Sequence, residues 1–463
     1  MSLDAVIRNG TVATGSDIFQ ADVAIAGGKV VAIGKDVGTG TREIDARGKY
    51  VIPGGIDVHT HLDHHITIYG MAITNVDDFF SGTVAAACGG ITTICDYIFQ
   101  HKGRPVGEAV EEWLPKAKDK AVIDYGFHIC ITDPSPKALG EIPDLMAEGY
   151  ASLKAFMCFS GFGLDSNALL QVLQAARESN VLVNIHAEDG PIIDYLTQKL
   201  LAEGRTGPEN WPKSRPVLTE ASATARAIDL AEAVDTPIYI VHLSCRDALQ
   251  AVQAGRARGL PVYTETRPVY LFLSEERYDL PNREGGKYKC APPLRHHSHQ
   301  KALWDGLRSD DIQTVASDNS SWMAADKTDP AKNFLEIPAG VSNLETMLPM
   351  VYSEGVGKGR ISLSRFVQVM CTNPAKLFGM YPEKGTIAVG SDADIVILDP
   401  EKKVTIRAKD MHSRSDYDPY EGFEVQGWPI LTMSRGEVIC DNGKVTANPG
   451  RGRLLKRRKF TGL

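Results

Sequence analysis

Short apolar runs alternate with longer amphipathic segments through the middle of the chain. Eight of these runs are typical of strands, and in order they are YVIPGGIDVHTH, GITTICDY, IDYGFHICIT, ASLKAFM, VLVNIHAE, PIYIVHLS, PVYTETRP and IQTVASDN. Helical patterns such as NALLQVLQAARESN and TEASATARAIDLAEAVD lie between several of them, the second with a threonine or serine suited to cap it. Strands that alternate with helices indicate a parallel sheet, and eight such units over roughly 280 residues predict a (β/α)8 barrel. An open, doubly wound sheet is the alternative, although no GxGxxG follows a strand.

The two ends of the chain have a different texture. Short alternating apolar pieces separated by glycine turns occupy the first fifty residues, and the same pattern returns in GSDADIVILDP, KKVTIRA and ILTMSRGEVICDNGKV. This pattern predicts a small β-sandwich domain built from both chain termini. We therefore expect a sandwich formed by residues 1–52 and 381–445, a barrel over residues 53–380, and a basic tail over residues 446–463.

Composition excludes several classes of protein. The chain has 463 residues, 43% of them hydrophobic, and a net charge of −8, so it can build a large core and has no general basic surface for nucleic acid. The tail RGRLLKRRKF is the one basic run, and a solvated or subunit-contacting terminus is favoured over polyanion binding. No apolar stretch reaches the length of about 18 residues that a membrane span needs, and MSLDAVIRNG lacks the regions of a signal peptide. The eight cysteines form no CxxC pair, so we expect reduced core thiols in a cytoplasmic protein.

Histidines provide the first chemical signal. The twelve histidines form two His-x-His pairs, where chance would give about 0.3. His59 and His61 close the first predicted barrel strand, so their side chains share one face at its C-terminal end, where barrels place active sites. His297 and His299 lie in the polar segment LRHHSHQ, where a solvated loop is the favoured interpretation.

Three more predicted strands end in a polar residue, namely His186, His242 and Asp318. Any one of them could be a satisfied core group, but their convergence on one barrel mouth favours a site for zinc or a similar divalent ion. Four imidazoles and a carboxylate exceed the three ligands of a usual catalytic zinc, which indicates two metals about 3.5–4 Å apart. Lys154 lies in the fourth strand, where burial beside cations favours a neutral amine that can add CO2 and form a bridging carbamate. A strand-end lysine that reaches solvent is the alternative.

A longer series of motifs extends this picture. PGGIDVHTHLD, SLKAFM, NIHAED, YIVHLS and VASD occur in this order, together with DDFFSGTVAAACGGITT, KYKCAPPLR, TNPAKLFG, KGTIAVGSDADIVILDP and SDYDPYEGFEVQGWPILTMSRGEVI. The series covers nearly the whole chain and resembles the hydantoinase and dihydropyrimidinase group of cyclic amidohydrolases, in the amidohydrolase superfamily. This resemblance implies a metal-bearing (β/α)8 barrel with a terminal β-sandwich, assembled into homodimers or homotetramers.

The resemblance also implies a ligand set and a reaction. Two divalent ions, most simply Zn²⁺, are implied, with the first on His59, His61 and Asp318, the second on His186 and His242, and carboxylated Lys154 between them. A metal-bridging hydroxide would attack a carbonyl of a cyclic amide or imide, such as a hydantoin or dihydropyrimidine, and open the ring to an N-carbamoyl product. Asp318 is the expected acid and base, because it is the only ligand with a carboxylate oxygen free to take a proton.

The substrate side departs from that group. Phe159 stands where many hydantoinases have a tyrosine whose hydroxyl helps to hold the developing oxyanion. Asn319 follows the last ligand in place of the usual histidine. We expect backbone groups around Ala291 and Asn343 to bind the cyclic amide, with ordinary loop structure as the alternative.

The loop after Asp63 is the second departure, since HHITIYGMAITNV is longer and more polar at its start than the common form. Either His64 or His65 lines a pocket for a polar or anionic ring substituent, or both rings face solvent. The site prediction includes His65 as a substrate contact.

Other functions remain open at this stage. Ala339 and the LETMLP segment are closer to allantoinases and dihydroorotases, so an allantoinase or another cyclic imidase is the alternative enzyme. Dihydroorotase is disfavoured, because no arginine is placed convincingly for a substrate carboxylate. Dihydropyrimidinase-related scaffolds without catalysis are a further alternative, but they usually lose metal ligands, and all six ligand positions are present here.

Overall fold

A computed structural model describes residues 2–68 and 71–463. The strands are β1 (Leu3–Arg8), β2 (Thr11–Ala13), β3 (Ile18–Gln20), β4 (Asp22–Ala26), β5 (Lys29–Gly34), β6 (Gly40–Asp45), β7 (Tyr50–Pro53), β8 (Gly55–Thr60), β9 (His65–Ile68), β10 (Met71–Thr74), β11 (Ile91–Phe99), β12 (Asp124–Cys130), β13 (Ser152–Phe156), β14 (Leu182–His186), β15 (Ile238–Ile240), β16 (Val262–Thr266), β17 (Thr314–Val315), β18 (Ile395–Thr405), β19 (Glu424–Ser434), β20 (Glu437–Asp441) and β21 (Lys444–Val445).

The helices connect these strands. They are α1 (Phe79–Cys88), α2 (Val106–Lys118), α3 (Pro136–Gly140), α4 (Ile142–Glu148), α5 (Ser166–Ser179), α6 (Gly190–Ala202), α7 (Trp211–Ser214), α8 (Val217–Ala233), α9 (Arg246–Ala257), α10 (Pro268–Phe272), α11 (Gln300–Ser309), α12 (Ala324–Thr328), α13 (Met347–Val351), α14 (Leu363–Val367) and α15 (Asn373–Leu377). Among the described residues, no helix is long and apolar enough to cross a membrane.

The barrel is a sheet of eight parallel strands, ordered β8, β11, β12, β13, β14, β15, β16 and β17. A parallel bridge between Thr60 and Asn319 joins the last strand to the first, and the His61 N–H donates to the Asn319 carbonyl at 2.9 Å. The predicted (β/α)8 barrel is therefore confirmed, and each of the eight apolar runs supplies one of its strands.

Two further sheets form the sandwich from both ends of the chain. One has the order β5-β4-β1-β6, and the other has the order β21-β20-β19-β18-β7-β2-β3. Their facing sides share a buried cluster that includes Ile7 and Val23 from the start of the chain and Ile395 and Met433 from the end. This confirms the predicted sandwich of both termini, while the exact domain boundaries stay a prediction.

The first predicted strand divides into two. Pro53 at the end of β7 pairs with Ile395 of the sandwich, and β8 then begins at Gly55 in the barrel. A Cβ atom on Gly54 would collide with the side chain of Thr92, so only glycine fits where the chain passes between the two sheets. The continuous apolar pattern hid this boundary.

Helix starts were predicted less well than strands. The side chain of Asp165 caps α5, because it accepts a hydrogen bond from the Ala168 N–H at 2.8 Å. The expected threonine or serine cap of α8 is wrong, since that helix begins at Val217 after Pro216 and has no side-chain cap. Proline already has a backbone angle suited to the start of a helix, so the polar residues fall inside it.

The basic tail packs against the barrel, which corrects the expectation of a solvated or subunit-contacting terminus. Tyr125, near the start of β12, donates to the Arg453 carbonyl at 2.9 Å and accepts from the Leu455 N–H at 2.8 Å. Arg457 and Phe460 are only 4% and 8% exposed. The tail therefore covers the barrel end opposite the mouth, and its basic residues are partly structural.

All eight cysteines lie within the described ranges, and each is free and buried. This confirms the prediction of core thiols, while their reduced state stays a prediction. The second His-x-His pair is only partly a solvated loop, because the His297 side chain is 67% exposed whereas that of His299 is 12% exposed.

Candidate metal centre and substrate cavity

Six predicted ligand residues meet at the barrel mouth. They line one cavity, and they are His59, His61, Lys154, His186, His242 and Asp318. Each lies in a barrel strand or within three residues of its C-terminal end, where parallel strands converge. Their roles as ligands stay a prediction, but the sequence correctly indicated which side chains the fold brings together.

The donor atoms form two close groups. Asp318 Oδ1 lies 3.0 Å from His61 Nε2 and 3.3 Å from His59 Nε2. His186 Nδ1 lies 2.8 Å from His242 Nε2. Ligand atoms of His59, His242 and Asp318 also lie within 4.8 Å of one another, so the two groups are adjacent. Nitrogen and carboxylate oxygen donors at this spacing form candidate sites for divalent metal ions.

Glu265 supports the first group from inside the barrel, and sequence reasoning missed it. Its carboxylate contacts His59 Nδ1, accepts from the His242 backbone N–H at 3.0 Å and accepts from the Tyr239 hydroxyl at 2.8 Å. Burial raises the pKa of Glu265 to about 8, although Tyr239, Lys154 and the His242 N–H act in the opposite direction. A carboxylate on Nδ1 leaves Nε2 of His59 to face the cavity, which is the usual arrangement around a metal-binding histidine.

Glu188 supports the second group in the same way, through His186, and sequence reasoning missed this residue as well. Its Oε2 lies 2.8 Å from His186 Nε2 and 2.6 Å from Arg215 Nη1. Burial would raise the pKa of Glu188, but Arg215 and His186 outweigh it and lower the pKa to about 2. The ionised carboxylate therefore leaves His186 Nδ1 facing the cavity. The motif HAED, with the acid two residues after the histidine, was the available signal.

Lys154 is a buried amine that lacks an ordinary partner. Its side chain is 1% exposed, and within the described residues its Nζ makes no hydrogen bond. The Nζ lies 4.9 Å from the ring centroids of Tyr97 and Phe156. Burial lowers the pKa of Lys154 to about 8, so a sizeable fraction is the neutral, nucleophilic amine near neutral pH. An orphaned amine among four imidazoles fits the carbamate that the sequence predicted.

Arg267 is the third residue that sequence reasoning missed. It follows β16 and is fully buried, and its Nη1 lies 3.0 Å from Asp318 Oδ2. It also donates to the carbonyls of Ser317 at 3.0 Å and Asp318 at 3.2 Å. Burial would raise the pKa of Asp318, but Arg267 and the neighbouring histidines hold it well below its usual range. The carboxylate oxygen expected to be free is therefore held in an ion pair, and only its second lone pair is left to accept a proton.

Aromatic side chains form one wall of the cavity. They are Phe99, Phe156, Phe159 and Phe162, whereas Trp322 lines the other side, where its Nε1 donates to the Ala339 carbonyl at 3.0 Å. The Phe159 ring centroid lies 4.8 Å from that of His186 and 5.4 Å from that of Phe162. Phe159 has a φ of +80°, so the backbone turns sharply here and directs the ring toward the second histidine group.

Two of the predicted substrate contacts, Ala291 and Asn343, lie on the loops opposite this wall, and only one of them lines the cavity. Ala291 lines the cavity, as do Ala339 and Gly340. Asn343 is not among the lining residues, and its backbone N–H already donates to Asn319 Oδ1 at 2.9 Å. Gly340 lines the cavity, but its N–H already donates to the Lys289 carbonyl at 2.9 Å and its carbonyl accepts from Lys327 Nζ at 2.8 Å. The structure therefore brings Ala291 to the cavity but not Asn343.

The two histidines after Asp63 have different environments in the structure. His64 lines the cavity and is buried, with Nε2 2.7 Å from Asp96 Oδ1. The His65 side chain is 56% exposed, bonds Asp63 at 3.2 Å and is not a lining residue. His65 begins the hairpin of β9 and β10, whose residues Tyr69 and Gly70 lie outside the described residues. The structure thus does not bring His65 to the cavity.

Comparisons with known proteins agree with this geometry. Residues 50–439 match the profile of the amidohydrolase family. A D-hydantoinase of Ralstonia pickettii is 45% identical over 460 residues, which are 99% of this chain and 100% of that protein. The crystal structure of a dihydropyrimidinase from Brevibacillus agri is 44% identical, with a TM-score of 0.96 over 99% of this chain and 100% of that one. A D-hydantoinase structure from Bacillus sp. AR9 is 44% identical, with a TM-score of 0.97 and the same coverage.

The similarity extends over both the barrel and the sandwich, since each relative covers 99% of this chain. The family, the fold and the clustered side chains at the barrel mouth therefore agree. The chain belongs to the amidohydrolase family, in its hydantoinase and dihydropyrimidinase group of cyclic amidohydrolases.

Proposed function

We propose that this enzyme opens the ring of a hydantoin or dihydropyrimidine to an N-carbamoyl product, with two zinc ions and a carboxylated Lys154. The observation that carries the proposal is the orphaned, buried amine of Lys154 among four histidines and Asp318. A buried amine without a partner is unfavourable, and conversion to a carbamate that bridges two cations removes that cost.

The donor set supports a specific division of ligands. One ion would be held by His59, His61 and Asp318, the other by His186 and His242, and carboxylated Lys154 would bind both. Imidazole and carboxylate donors suit zinc, and Glu265 and Glu188 orient the imidazoles on each side. When bound, two such ions supply an activated water nucleophile and polarise the carbonyl under attack.

Asp318 is the side chain placed to transfer the proton of the attacking water. Asp318 Oδ1 faces the histidines, and Oδ2 is held by Arg267, so the carboxylate is fixed in position. We infer that Asp318 accepts the proton of the attacking water and delivers it to the leaving nitrogen of the ring. Fixed placement favours this transfer, because little reorganisation is needed at the moment of reaction.

The cavity walls indicate how the ring is bound. The carbonyls of Ala339 and Gly340 already accept from Trp322 and Lys327, but each keeps a second lone pair that can accept from an N–H of a cyclic amide, and Ala291 also lines the cavity. The aromatic wall with Phe159 and Phe162 suits an apolar ring substituent. The names of the compared proteins, D-hydantoinase and dihydropyrimidinase, agree with such rings. Allantoin and dihydroorotate carry polar or anionic groups and fit this wall less well.

A panel of ring substrates tests the substrate class. We expect the zinc-loaded enzyme to form N-carbamoyl products from 5-phenylhydantoin and dihydrouracil, with much slower turnover of allantoin, dihydroorotate and glutarimide. Selective turnover of allantoin or glutarimide would identify the alternative activity instead. No ring opening by enzyme that holds two zinc ions per chain would contradict the proposed reaction.

Lys154 is tested separately. Enzyme prepared with ¹³C-bicarbonate should show a carbamate carbon signal by NMR, and Lys154→Ala should lose the signal, the second metal and nearly all activity. Lys301→Ala is the matched control, because the Lys301 side chain is 84% exposed. Full activity and two bound metals in folded Lys154→Ala would rule out the bridging role.

We also propose an oligomeric state and a cellular location for this enzyme. A homodimer or homotetramer is supported by strand β3, an edge strand that exposes Ile18 and Phe19 at 50% and 38%. Free, buried cysteines agree with a reducing compartment, so we propose the cytoplasm. Analytical ultracentrifugation of the wild type and of Phe19→Ser tests the assembly, and a monomeric wild type at micromolar concentration would contradict it.

A further inference from the structure

A second group of metal-binding side chains lies away from the cavity, where the barrel meets the sandwich. Cys88 is the last residue of α1, Cys440 lies in β20, and His412 lies between β18 and β19. The two Sγ atoms are 3.2 Å apart, and His412 Nε2 is 3.7 Å from Cys88 Sγ. None of the three lines the cavity, so the proposed reaction does not use them.

Glu345 holds the imidazole in a specific orientation. His412 Nδ1 lies 3.0 Å and 3.2 Å from the two carboxylate oxygens of Glu345, and the His412 backbone N–H donates to Oε2 at 2.8 Å. With the proton on Nδ1, the lone pair of Nε2 points toward the thiols. A carboxylate on one ring nitrogen and open donors on the other is the arrangement that surrounds metal-binding histidines.

We propose that Cys88, Cys440 and His412 bind a single zinc ion or a similar thiophilic divalent ion, as a structural site between barrel and sandwich. Two sulfur ligands of a tetrahedral zinc are about 3.7 Å apart and a sulfur–nitrogen pair about 3.6 Å apart. The distance from Cys88 Sγ to His412 Nε2 already agrees, whereas the Cys440 thiol has to move and the sulfur pair has to open by about 0.5 Å. Two thiolates balance the charge of the ion.

Burial and access fit such a site. Cys88 and Cys440 are each 3% exposed, whereas the His412 side chain is 28% exposed. An ion therefore enters past the imidazole, and a water molecule completes the coordination there. The ion would join α1 of the barrel to β20 of the sandwich.

Cobalt binding tests the site, because thiolate-to-cobalt charge transfer gives a near-ultraviolet band that nitrogen and oxygen ligands do not produce. We expect the band in wild-type enzyme saturated with Co²⁺, and one bound ion more than in Cys440→Ser. The band should be absent from Cys88→Ser and Cys440→Ser. It should persist in Cys371→Ser, a buried thiol elsewhere, and in Cys158→Ser, whose thiol lies near His186.

A further variant covers the case in which the serine variants fold poorly. His412→Gln changes a partly exposed residue and leaves both buried thiols in place. It should weaken cobalt binding at least about tenfold. Zinc added to enzyme with a filled catalytic centre should raise the melting temperature of the wild type more than that of His412→Gln.

Three outcomes would overturn the site. They are the absence of the band in saturated wild type, its persistence in Cys440→Ser, and its loss in Cys158→Ser alone. Thiol titration of denatured enzyme, isolated without reductant, should find all eight thiols after metal removal. Six thiols would indicate a Cys88–Cys440 disulfide in place of the metal site. These measurements do not depend on ring opening, so the proposed function and this site can fail independently.

Discussion

The guanidinium of Arg267 lies 3.0 Å from Oδ2 of Asp318, while Oδ1 of the same carboxylate faces His59 and His61. Asp318 is therefore held between a permanent cation and the candidate metal ligands. The arginine also binds two carbonyls of the segment that carries Asp318. Its planar fork thus fixes both the backbone and the side chain of the proposed acid and base.

Arg267→Lys should lower kcat by about 10–100-fold and weaken zinc binding at limiting metal, because an ammonium group cannot make the three contacts together. Steady-state kinetics and metal analysis after dialysis against a zinc buffer measure both effects. Arg365→Lys is the control, since this buried arginine pairs with Asp310 away from the cavity. Unchanged kcat and zinc binding in Arg267→Lys would show that the ion pair has no part in positioning Asp318.

Glu265→Gln should reduce zinc affinity by about 10–100-fold, because the amide replaces one acceptor oxygen by an NH2 group and cannot accept all three hydrogen bonds that orient His59 and its neighbours. Competition with a zinc chelator measures the affinity. Glu220→Gln removes another buried carboxylate, which pairs with Arg295, and should affect stability but not zinc affinity. Equal zinc affinities in wild type and Glu265→Gln would be the contrary result.

Phe159→Tyr should raise kcat, by up to about tenfold, because a hydroxyl at this position adds a donor for the developing oxyanion. The ring lies 4.8 Å from that of His186, so the added group stays beside the candidate metal centre. Phe162→Tyr places a hydroxyl on the neighbouring ring and serves as the control. A lower kcat in folded, metal-loaded Phe159→Tyr would mean that another group already stabilises the oxyanion.

The sequence was sufficient for the barrel and for the six clustered side chains, because each strand is a local apolar run and each predicted ligand marks its own strand. It was insufficient for Glu265 and Arg267. These residues lie in or directly after β16, and they contact His59 and Asp318 only through the register of the closed barrel. Periodicity within one strand carries no information on such contacts between strands. The tail was misjudged for the same reason, since its partners lie more than 300 residues away.

Lys384 connects the barrel to the segment that enters the sandwich. Its Nζ is 2.7 Å from Asp124 Oδ2, 2.9 Å from Asp392 Oδ2 and 2.6 Å from Asp394 Oδ2, and the side chain is 2% exposed. Lys384→Met should destabilise the protein by about 3–5 kcal/mol, because the buried carboxylates lose their shared cation. Denaturation with guanidinium measures the change. Lys29→Met removes the more exposed partner of Asp392, so a change of at most about 1 kcal/mol is expected; an equal loss in both variants would argue against the buried network.

Asp392→Asn should reveal how this network depends on pH. Burial would raise the pKa of Asp392, but Lys384 and Lys29 outweigh it and lower the pKa below its ordinary value of 3.8. The folded protein therefore binds this proton less tightly than the unfolded chain, so the carboxylate stabilises the fold above a pH of about 4. That contribution is lost as the pH falls through the lowered pKa. At pH 7 we expect Asp392→Asn to be less stable than wild type by about 1–3 kcal/mol, and the difference should become smaller as the pH falls below about 4. Denaturation of metal-free protein at pH 7, 5 and 3 measures this, with the exposed Asp410→Asn as control. A difference that stays constant or grows on acidification would contradict the lowered pKa.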